Sequence, residues 1–595
     1  MTAAAWLAWS LPAVPLAGGA ALAVAGRRAS RVAPAAGMAG AVATLGLAGA
    51  AAAVRPAAAA PLLDGIAAAV QVDGLSAIMV VTVAAVTLAV LVFSAGNLGP
   101  DENQGRFFGL MLGFAGAMLV TVTAATLPLL LMGWEAMGAA SYALIGYWWR
   151  QPGRVSAANT AFLTTRAADL GLYVAAGAAV AGGITGLRLA DLADARPPWL
   201  TVIAVGVLLA ALAKSAQLPF SFWLSRAMAG PSPVSALLHS ATMVVAGAYL
   251  LLRSQALLTA AGWAAPLAAW AGAATALALG LVAVAQADLK QLLAASTCAQ
   301  VGFMVLAAGT GAIRGGVAQL VAQAAVKSLL FLAAGVWLTA LGREQLPALR
   351  GAARRYPLAG VTFTVAAAVL AGLPPGSLWV TKDEVLAAAL RTSPALYGLG
   401  LAAAVVSAVY SAKAAWYVWQ PATMGAPTAG TRRIAPIEAA PLVVLAMAAA
   451  VLGVLALPPI GPPLARALGA TGEPSPTGWE LAVSAAAAAV ASGAAWAWGA
   501  RPAPLPQAVR SGLAGWLGLE QAARFLLVGP VLATARALAA FDDRVLDQGV
   551  IGGVGRAARA LGRLARRPQT GQLQAYYGQA AVLLAILALI AVLVR

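Results

Sequence analysis

A chain of 595 residues would ordinarily divide into several soluble domains, but 62% of these residues are hydrophobic and only 9% are charged. That balance excludes a row of globular domains and points to a membrane protein. The formal net charge of +18 does not describe a nucleic-acid-binding face, because the cations are scattered between apolar runs, and positive loops on the cytoplasmic side account for them.

The run from Ala3 to Gly26 is as long as a bilayer span and is followed at once by another, so it reads as a span rather than a removable signal peptide. Apolar runs of about 20 residues then recur between short polar breaks, and roughly 16 spans are predicted. Spans 1 and 2 cover about 3–26 and 33–54, divided by Arg27, Arg28 and Arg31. A polar hairpin around Asp64 and Asp73 leads to span 3 at about 75–96, and spans 4, 5 and 6 follow at about 107–124, 127–149 and 158–183. Span 7 begins near Trp199 and breaks at Gln217-Leu218-Pro219, since proline removes a backbone donor and clashes with the preceding turn. Span 8 runs from Pro233 to Leu252, and spans 9 to 11 lie at about 263–286, 290–309 and 316–341. Span 12, about 357–386, breaks at Leu373-Pro374-Pro375-Gly376, and spans 13 to 15 lie at about 396–419, 436–457 and 479–499.

A broken helix survives in hydrocarbon only where protein or a wet cavity surrounds it. Two such spans, each with a lysine beside its break, mark the duplicated and inverted halves of a transporter. Two ordinary kinks are the alternative. Beyond span 15, Arg556, Arg559, Arg563, Arg566 and Arg567 fall along one helical face. They predict a basic amphipathic segment lying on a membrane surface or along partner helices, with a break at Gly552, Gly553 and Gly555; a plain cytoplasmic linker is the alternative. Span 16, Ala575 to Val594, follows.

The predicted fold is therefore all-α and polytopic. Residues 1–106 form N-terminal helices, 107–252 and 253–420 two inverted five-helix repeats, 421–500 two further spans, 501–570 the lateral segment and 571–595 an anchor. Loops after odd-numbered spans carry roughly twice the arginine of the others, which predicts odd loops in the cytoplasm and both termini outside.

Five of the 37 cations are lysines, all inside or at the ends of apolar segments, while every loop cation is arginine. An ammonium in a low-dielectric site can give up its proton where a guanidinium cannot, so the lysines read as proton-handling groups; codon bias with chance placement is the alternative. Glu135 stands alone in span 5 and would take up a proton unless a cation holds it charged; its predicted partner is Lys214, as a switching or a static pair. Arg166 and Asp169, at i and i+3, are predicted to pair with each other, either hiding two charges or tuning the neighbouring site. His239, the only histidine, reads as a relay or as a packed neutral ring, and Ser215, Ser235, Ser240 and Thr242 as candidates to line a hydrated path. Lys290 has Asp288 two residues before it and is either an anchor or a path member, Lys327 is too deep to reach the interface, and Lys382 is followed by Asp383 and Glu384. Lys413, among Tyr410, Trp416, Tyr417 and Trp419, reads as an anchor in an aromatic belt.

Cys298 reads as a small buried hydrophobe, and one histidine with one cysteine leaves too few ligands for a zinc, haem or iron–sulfur site, so no metal is predicted. The row Glu135, Lys214, His239, Lys327 and Lys382 implies lateral proton passage between two half-channels.

The stretches GWEAMGAASYALIGYWW, AKSAQLPFSFWLSRAMAGPSPVSALLHSATMVVAGAYLLLR, ADLKQLLAASTCAQVGFMVLAAG and TKDEVLAAA resemble the antiporter-like subunits of respiratory complex I, most of all the distal L subunit of bacterial NADH:quinone oxidoreductase. DGLS at 73–76, the basic segment, QTGQLQAYY and the last span extend the resemblance over nearly the whole chain. It implies that Glu135 and Lys214 form the switching pair and His239 the relay, with Lys290 and Lys327 in the central path, Lys382 at the exit, and Arg166, Asp169 and Asp383 tuning them. It also implies a bacterial plasma membrane, no cofactor in this subunit, flavin, iron–sulfur clusters and quinone in partner subunits, and further antiporter-like subunits braced by residues 501–570. The chain departs from the family pattern at Trp223-Leu224-Ser225-Arg226-Ala227-Met228, where an acid is lost, and at Gln319 and Gln323, where histidines are expected. Glutamine holds water but takes no proton, so the path from His239 to Lys382 is expected to rely more on ordered water. The expected function is proton translocation within a complex I type oxidoreductase. A multisubunit cation/proton antiporter, a membrane hydrogenase and an inorganic-carbon uptake pair are alternatives, and a structural scaffold with dead channels is a third.

Overall fold

The computed structural model describes residues 2–63, 65–239, 242–422, 434–501 and 505–595; the predicted positions Asp64 and Ser240 lie outside them. A lipid-exposed backbone has only its own helix for hydrogen bonding, so the apolar runs fold as helices. In chain order these are α1 Ala3–Ala25, α2 Ala33–Val54, α3 Gly74–Asn97, α4 Gln104–Thr123, α5 Leu127–Ile145, α6 Arg154–Ala181, α7 Trp199–Lys214, α8 Phe222–Ala227, α9 Ser232–Leu238 and α10 Met243–Arg253. There follow α11 Gln255–Ala261, α12 Ala264–Ala285, α13 Leu289–Thr310, α14 Ile313–Leu341, α15 Ala352–Arg355, α16 Pro357–Ala371, α17 Ser377–Thr392 and α18 Pro394–Trp419. The remainder are α19 Pro436–Val451, α20 Gly461–Ala467, α21 Gly478–Trp498, α22 Gln507–Ala514, α23 Leu519–Ala523, α24 Gly529–Phe541, α25 Gly552–Arg566 and α26 Leu573–Leu593. Strands β1 Ala57–Leu63 and β2 Ile66–Gln71 pair antiparallel as the predicted hairpin. Asp73 then caps α3 reciprocally with Ser76 and accepts from the Arg253 guanidinium at 2.7 Å.

Among the described residues, fourteen helical stretches are long and apolar enough to cross a membrane. One is Trp516–Arg566, the predicted lateral segment, which leaves thirteen of the predicted spans. The other three are the two proline-broken spans, split into α7 with α8 and α16 with α17, and α6, a 28-residue helix made polar by Arg166, Asp169 and its threonines. Span 8 differs from expectation. It is two helices, α9 and α10, and the break falls at His239, whose backbone N–H caps α9 on the Ser235 carbonyl at 3.1 Å.

The chain forms two compact units, divided after Leu519. In the first, α10, α13 and α14 are enclosed along nearly their whole length, so groups on them sit far from lipid. Small residues let the helices meet. At the α12–α13 crossing, a side-chain carbon on Gly302 would lie 2.6 Å from the Gly272 carbonyl oxygen, and at α6–α7 one on Gly206 would lie 2.1 Å from that of Gly171. Residues 507–514, predicted to belong to the lateral segment, are part of this first unit.

The second unit is a continuous helical run through α24 and α25, then α26. No break occurs at Gly552, Gly553 and Gly555; the backbone instead loosens into π-helical turns at Arg524–Val528 and Asp542–Ile551 and passes into α25 with helical dihedrals. At 1.5 Å per residue the run from Glu520 to Arg566 is about 70 Å long. Arg556, Arg559, Arg563 and Arg566 are exposed on it, as are Phe525, Leu532 and Ile551.

Gly302→Val is expected to force α12 from α13 and to cost about 1–3 kcal/mol, the usual penalty of overpacking. A fall of several degrees in the melting temperature of the detergent-solubilised protein checks this, and an unchanged melt would mean that the crossing yields freely.

Candidate functional site

Lys290 and Lys327 lie on α13 and α14, two of the most enclosed helices, and each buried lysine must find acceptors. Lys214, the last residue of α7, is fully enclosed and its Nζ donates to Asp169 Oδ2 at 2.8 Å. The Trp134 indole donates to the other Asp169 oxygen at 2.6 Å, and the Lys214 ammonium lies 5.1 Å from the centre of the Trp134 ring. Glu135 instead binds the Arg166 guanidinium and accepts from the Tyr173 hydroxyl at 3.2 Å. The expected Glu135–Lys214 and Arg166–Asp169 pairs are thus exchanged.

The reason is helical. Adjacent residues point about 100° apart, so Trp134 turns inward and Glu135 turns to a face where its side chain is 25% exposed, against 3% for Asp169. Arg166 and Asp169 each meet a counter-charge on a neighbouring helix, so neither needs to fold back over its own turn.

Beyond Lys214 lie Ser215, Ser235, His239 and Gln323, all buried, whose hydroxyl, ring and amide atoms have no protein partner. His239 packs edge-on against Trp223, with ring centres 6.0 Å apart. Thr242 is not part of this group, because its hydroxyl is tied to the Leu237 carbonyl at 2.6 Å. Lys290 is enclosed: its Nζ donates to Met228 O at 2.7 Å and Gly230 O at 2.9 Å, in the turn that joins α8 to α9, and lies 4.0 Å from the part-exposed carboxylate of Glu344. Asp288 does not pair with it, since one oxygen caps α13 on the Gln291 N–H and the other accepts from Gln345. Lys327 donates to the Leu293 carbonyl at 3.2 Å and to the Ser296 hydroxyl.

From Gln319, two helical turns before Lys327, a bonded chain leads to Lys382. The Gln319 amide accepts from Thr381 Oγ1 at 2.6 Å and donates to Gln300 Oε1 at 3.1 Å. Gln300 donates to Tyr410 Oη at 2.9 Å and Ser407 Oγ at 3.1 Å, and Lys382 donates to the same Ser407 oxygen at 3.1 Å and to Leu370 O at 2.8 Å. Gln300, Ser407, Thr381 and Ser296 escape the sequence reading. Their signal was available as polar residues inside apolar spans, but it is the signal that any helix hydroxyl gives. Tyr410 is wholly buried in this chain and is no part of an interfacial belt. Lys413 likewise turns inward, donating at 2.7 Å to both the Val284 and Gln286 carbonyls at the end of α12.

Past Lys382, Asp383 accepts from Ser484, and Glu384 accepts from Nε and Nη2 of the Arg314 guanidinium, each at 3.0 Å. In the loop before α21, Glu473 accepts the Ile313 and Arg314 N–H groups that open α14, and burial pushes its carboxyl up to about 7 against the pull of those donors.

Residues 124–411 match the family described as NADH:quinone oxidoreductase/Mrp antiporter, transmembrane, and residues 65–108 match the N-terminus of chain 5 of NADH-ubiquinone oxidoreductase, complex I. Residues 124–411 carry the transmembrane domain described for NADH:quinone oxidoreductases and Mrp antiporters. NADH-quinone oxidoreductase subunit L of Mycobacterium tuberculosis is 38% identical over 346 residues, 56% of this chain and 54% of that protein. The chain spans about half the length of the curated relatives it matches. Among solved structures, the Mrp complex from Dietzia sp. DQ12-45-1b is similar over 99% of this chain and 63% of that one, with TM-score 0.70 and 28% identity. Respiratory complex I from Thermus thermophilus shares the fold over 81% of this chain and 99% of that one, with TM-score 0.68 and 24% identity. The antiporter domain's match encloses Glu135, Lys214, His239, Lys290, Lys327 and Lys382.

Two outcomes follow from the site. Lys214→Met or Asp169→Leu alone should cost about 3–5 kcal/mol by stranding a buried charge, while the double substitution should recover most of it. Additive losses in thermal unfolding would show that the two are not a pair. For Glu473, the folded chain keeps its proton up to about pH 7 where a free glutamate releases it near 4.5. The folded state therefore binds more protons between these values, and this residue's contribution to stability falls as pH rises through that window. Glu473→Gln should flatten that part of the stability–pH curve.

Proposed function

We propose that this chain is a proton-translocating membrane subunit of a complex I type NADH:quinone oxidoreductase, driven by electron transfer elsewhere in the assembly. The observation that carries the reading is the row of enclosed titratable and polar groups from Asp169–Lys214 through His239 and Lys327 to Lys382, threaded across three interrupted helices. Such groups are expensive inside a membrane and are kept where they move charge. In this reading Lys214 is the input lysine, with Asp169 rather than Glu135 as its direct counter-charge. Lys327 and Lys290 hold the centre, and Lys382 with Asp383 forms the exit. The chain itself holds no redox group, and flavin, iron–sulfur clusters and quinone belong to partner subunits. The second unit braces neighbouring antiporter-like subunits, both termini lie outside the cytoplasm, and the membrane is the bacterial plasma membrane.

One observation favours a second reading, an ion-moving subunit of a cation/proton antiporter: the likeness to the Mrp complex extends over 99% of this chain. The two readings part in their dependence on electron flow. With the intact complex in inverted vesicles, Lys382→Met is expected to lower the proton-to-electron ratio by at least a quarter while quinone reductase assembly persists. An unchanged ratio would remove Lys382 from the path, and sodium-driven proton exchange without any electron donor would favour the antiporter.

A further inference from the structure

Where α12, α18 and α21 end together, with α22 laid beside them, the first unit holds an open cleft of about 700 Å3. Sites for small amphiphilic molecules are typically ~300–1,000 Å3. Its body is apolar, walled by Leu281, Val284 and Ala495, and its mouth carries Lys413, Arg501 and Arg510. No carboxylate lines it, and among the described residues none of the three cations is in an ion pair. The Arg510 Nε is buried with no protein partner. Lys413 spends two of its three protons on the Val284 and Gln286 carbonyls and keeps one.

Lys413 and Arg510, half-buried here with no counter-charge, pay a desolvation cost that an anion would offset, and the exposed Arg501 stands beside them on the same lining. A neutral apolar occupant would leave them unmatched, and a small soluble anion would leave the apolar walls uncovered. We propose that this cleft binds an anionic glycerophospholipid, with its phosphate on Arg501, Arg510 and the free proton of Lys413 and its acyl chains along Leu281, Val284 and Ala495. A planar guanidinium fork matches phosphate oxygens, and basic pockets between membrane helices are the usual receptors for such headgroups. The inference is independent of what the complex transports.

The test uses the intact complex in nanodiscs of phosphatidylcholine doped with photoactivatable phosphatidylglycerol, with the cross-linked peptides mapped by mass spectrometry. Cross-linking to residues 490–514 is expected, at least fivefold weaker in the Arg501→Gln/Arg510→Gln protein and largely kept in Arg501→Lys/Arg510→Lys. Ala495→Phe, which fills the body and leaves the charges, should lose it too, with melting temperature reporting that each variant folds. Equal labelling by photoactivatable phosphatidylcholine, undiminished labelling in the folded glutamine variant, or full displacement by millimolar inorganic phosphate would each overturn the proposal.

Discussion

A buried ammonium must find acceptors, and in this fold most of them are carbonyls released where helices stop. Lys382 takes the Leu370 carbonyl at the end of α16, Lys290 the Met228 and Gly230 carbonyls between α8 and α9, and Lys413 the last carbonyls of α12. Only Lys214 rests on a buried carboxylate. Helix termini leave about four carbonyls without intrahelical partners, so each interruption makes a neutral cradle for a cation. A carbonyl cradle solvates the charge without fixing it as tightly as a carboxylate would. The breaks and the lysines are thus two parts of one device, since a continuous helix would offer no acceptor and an unbroken apolar wall no room for the charge.

The two halves of the row differ in how they are joined. From Gln319 to Lys382 the polar groups bond one another directly through Gln300, Ser407 and Tyr410. Glutamine in place of the expected histidine at 319 thus leaves connection in place, because an amide both donates and accepts. From Lys214 to Lys327 the reverse holds. Ser215, Ser235, both nitrogens of His239 and both polar atoms of Gln323 lack protein partners, and buried polar atoms of that kind are satisfied by internal water. The expected reliance on water thus falls on this first half, which includes Gln323, and not on the bonded chain that begins at Gln319.

Some of this was legible in the chain itself. Leu218-Pro219 and Pro374-Pro375 announce their breaks because proline cannot continue a helix, and lysine scarcity in the loops marks the interior cations. The break at His239 was hidden, since no glycine or proline stands near it and the apolar pattern runs straight through. Pairing was misread for a different reason. Spacing tells which residues share a face of one helix, but not which neighbouring helix that face meets, and the choice between Trp134 and Glu135 as the inward residue of α5 depends on a rotation that no periodicity in so apolar a helix encodes. Tyr410 and Lys413 looked interfacial by proximity to Trp416 and Trp419, although one is wholly buried and the other caps a helix.

The exchanged pairs carry a consequence for coupling. Arg166 and Asp169 stand one turn apart on α6, about 5–6 Å between their Cβ atoms, yet they serve different partners, Glu135 on a part-exposed face and Lys214 in the interior. The pairs are therefore electrically linked through one rigid helix. A cation brought against Glu135 from outside the chain would release Arg166, and a free guanidinium beside Asp169 weakens that carboxylate's hold on the Lys214 ammonium. An anion in the same place would draw Arg166 outward and strengthen the hold. Because the inner pair lies in a medium of low polarizability and the outer pair is only partly desolvated, the influence is felt most strongly inward. The two pairs thus stand one helical turn apart on α6, one part-exposed and the other enclosed, so the charge state of the outer pair bears on the inner one through space.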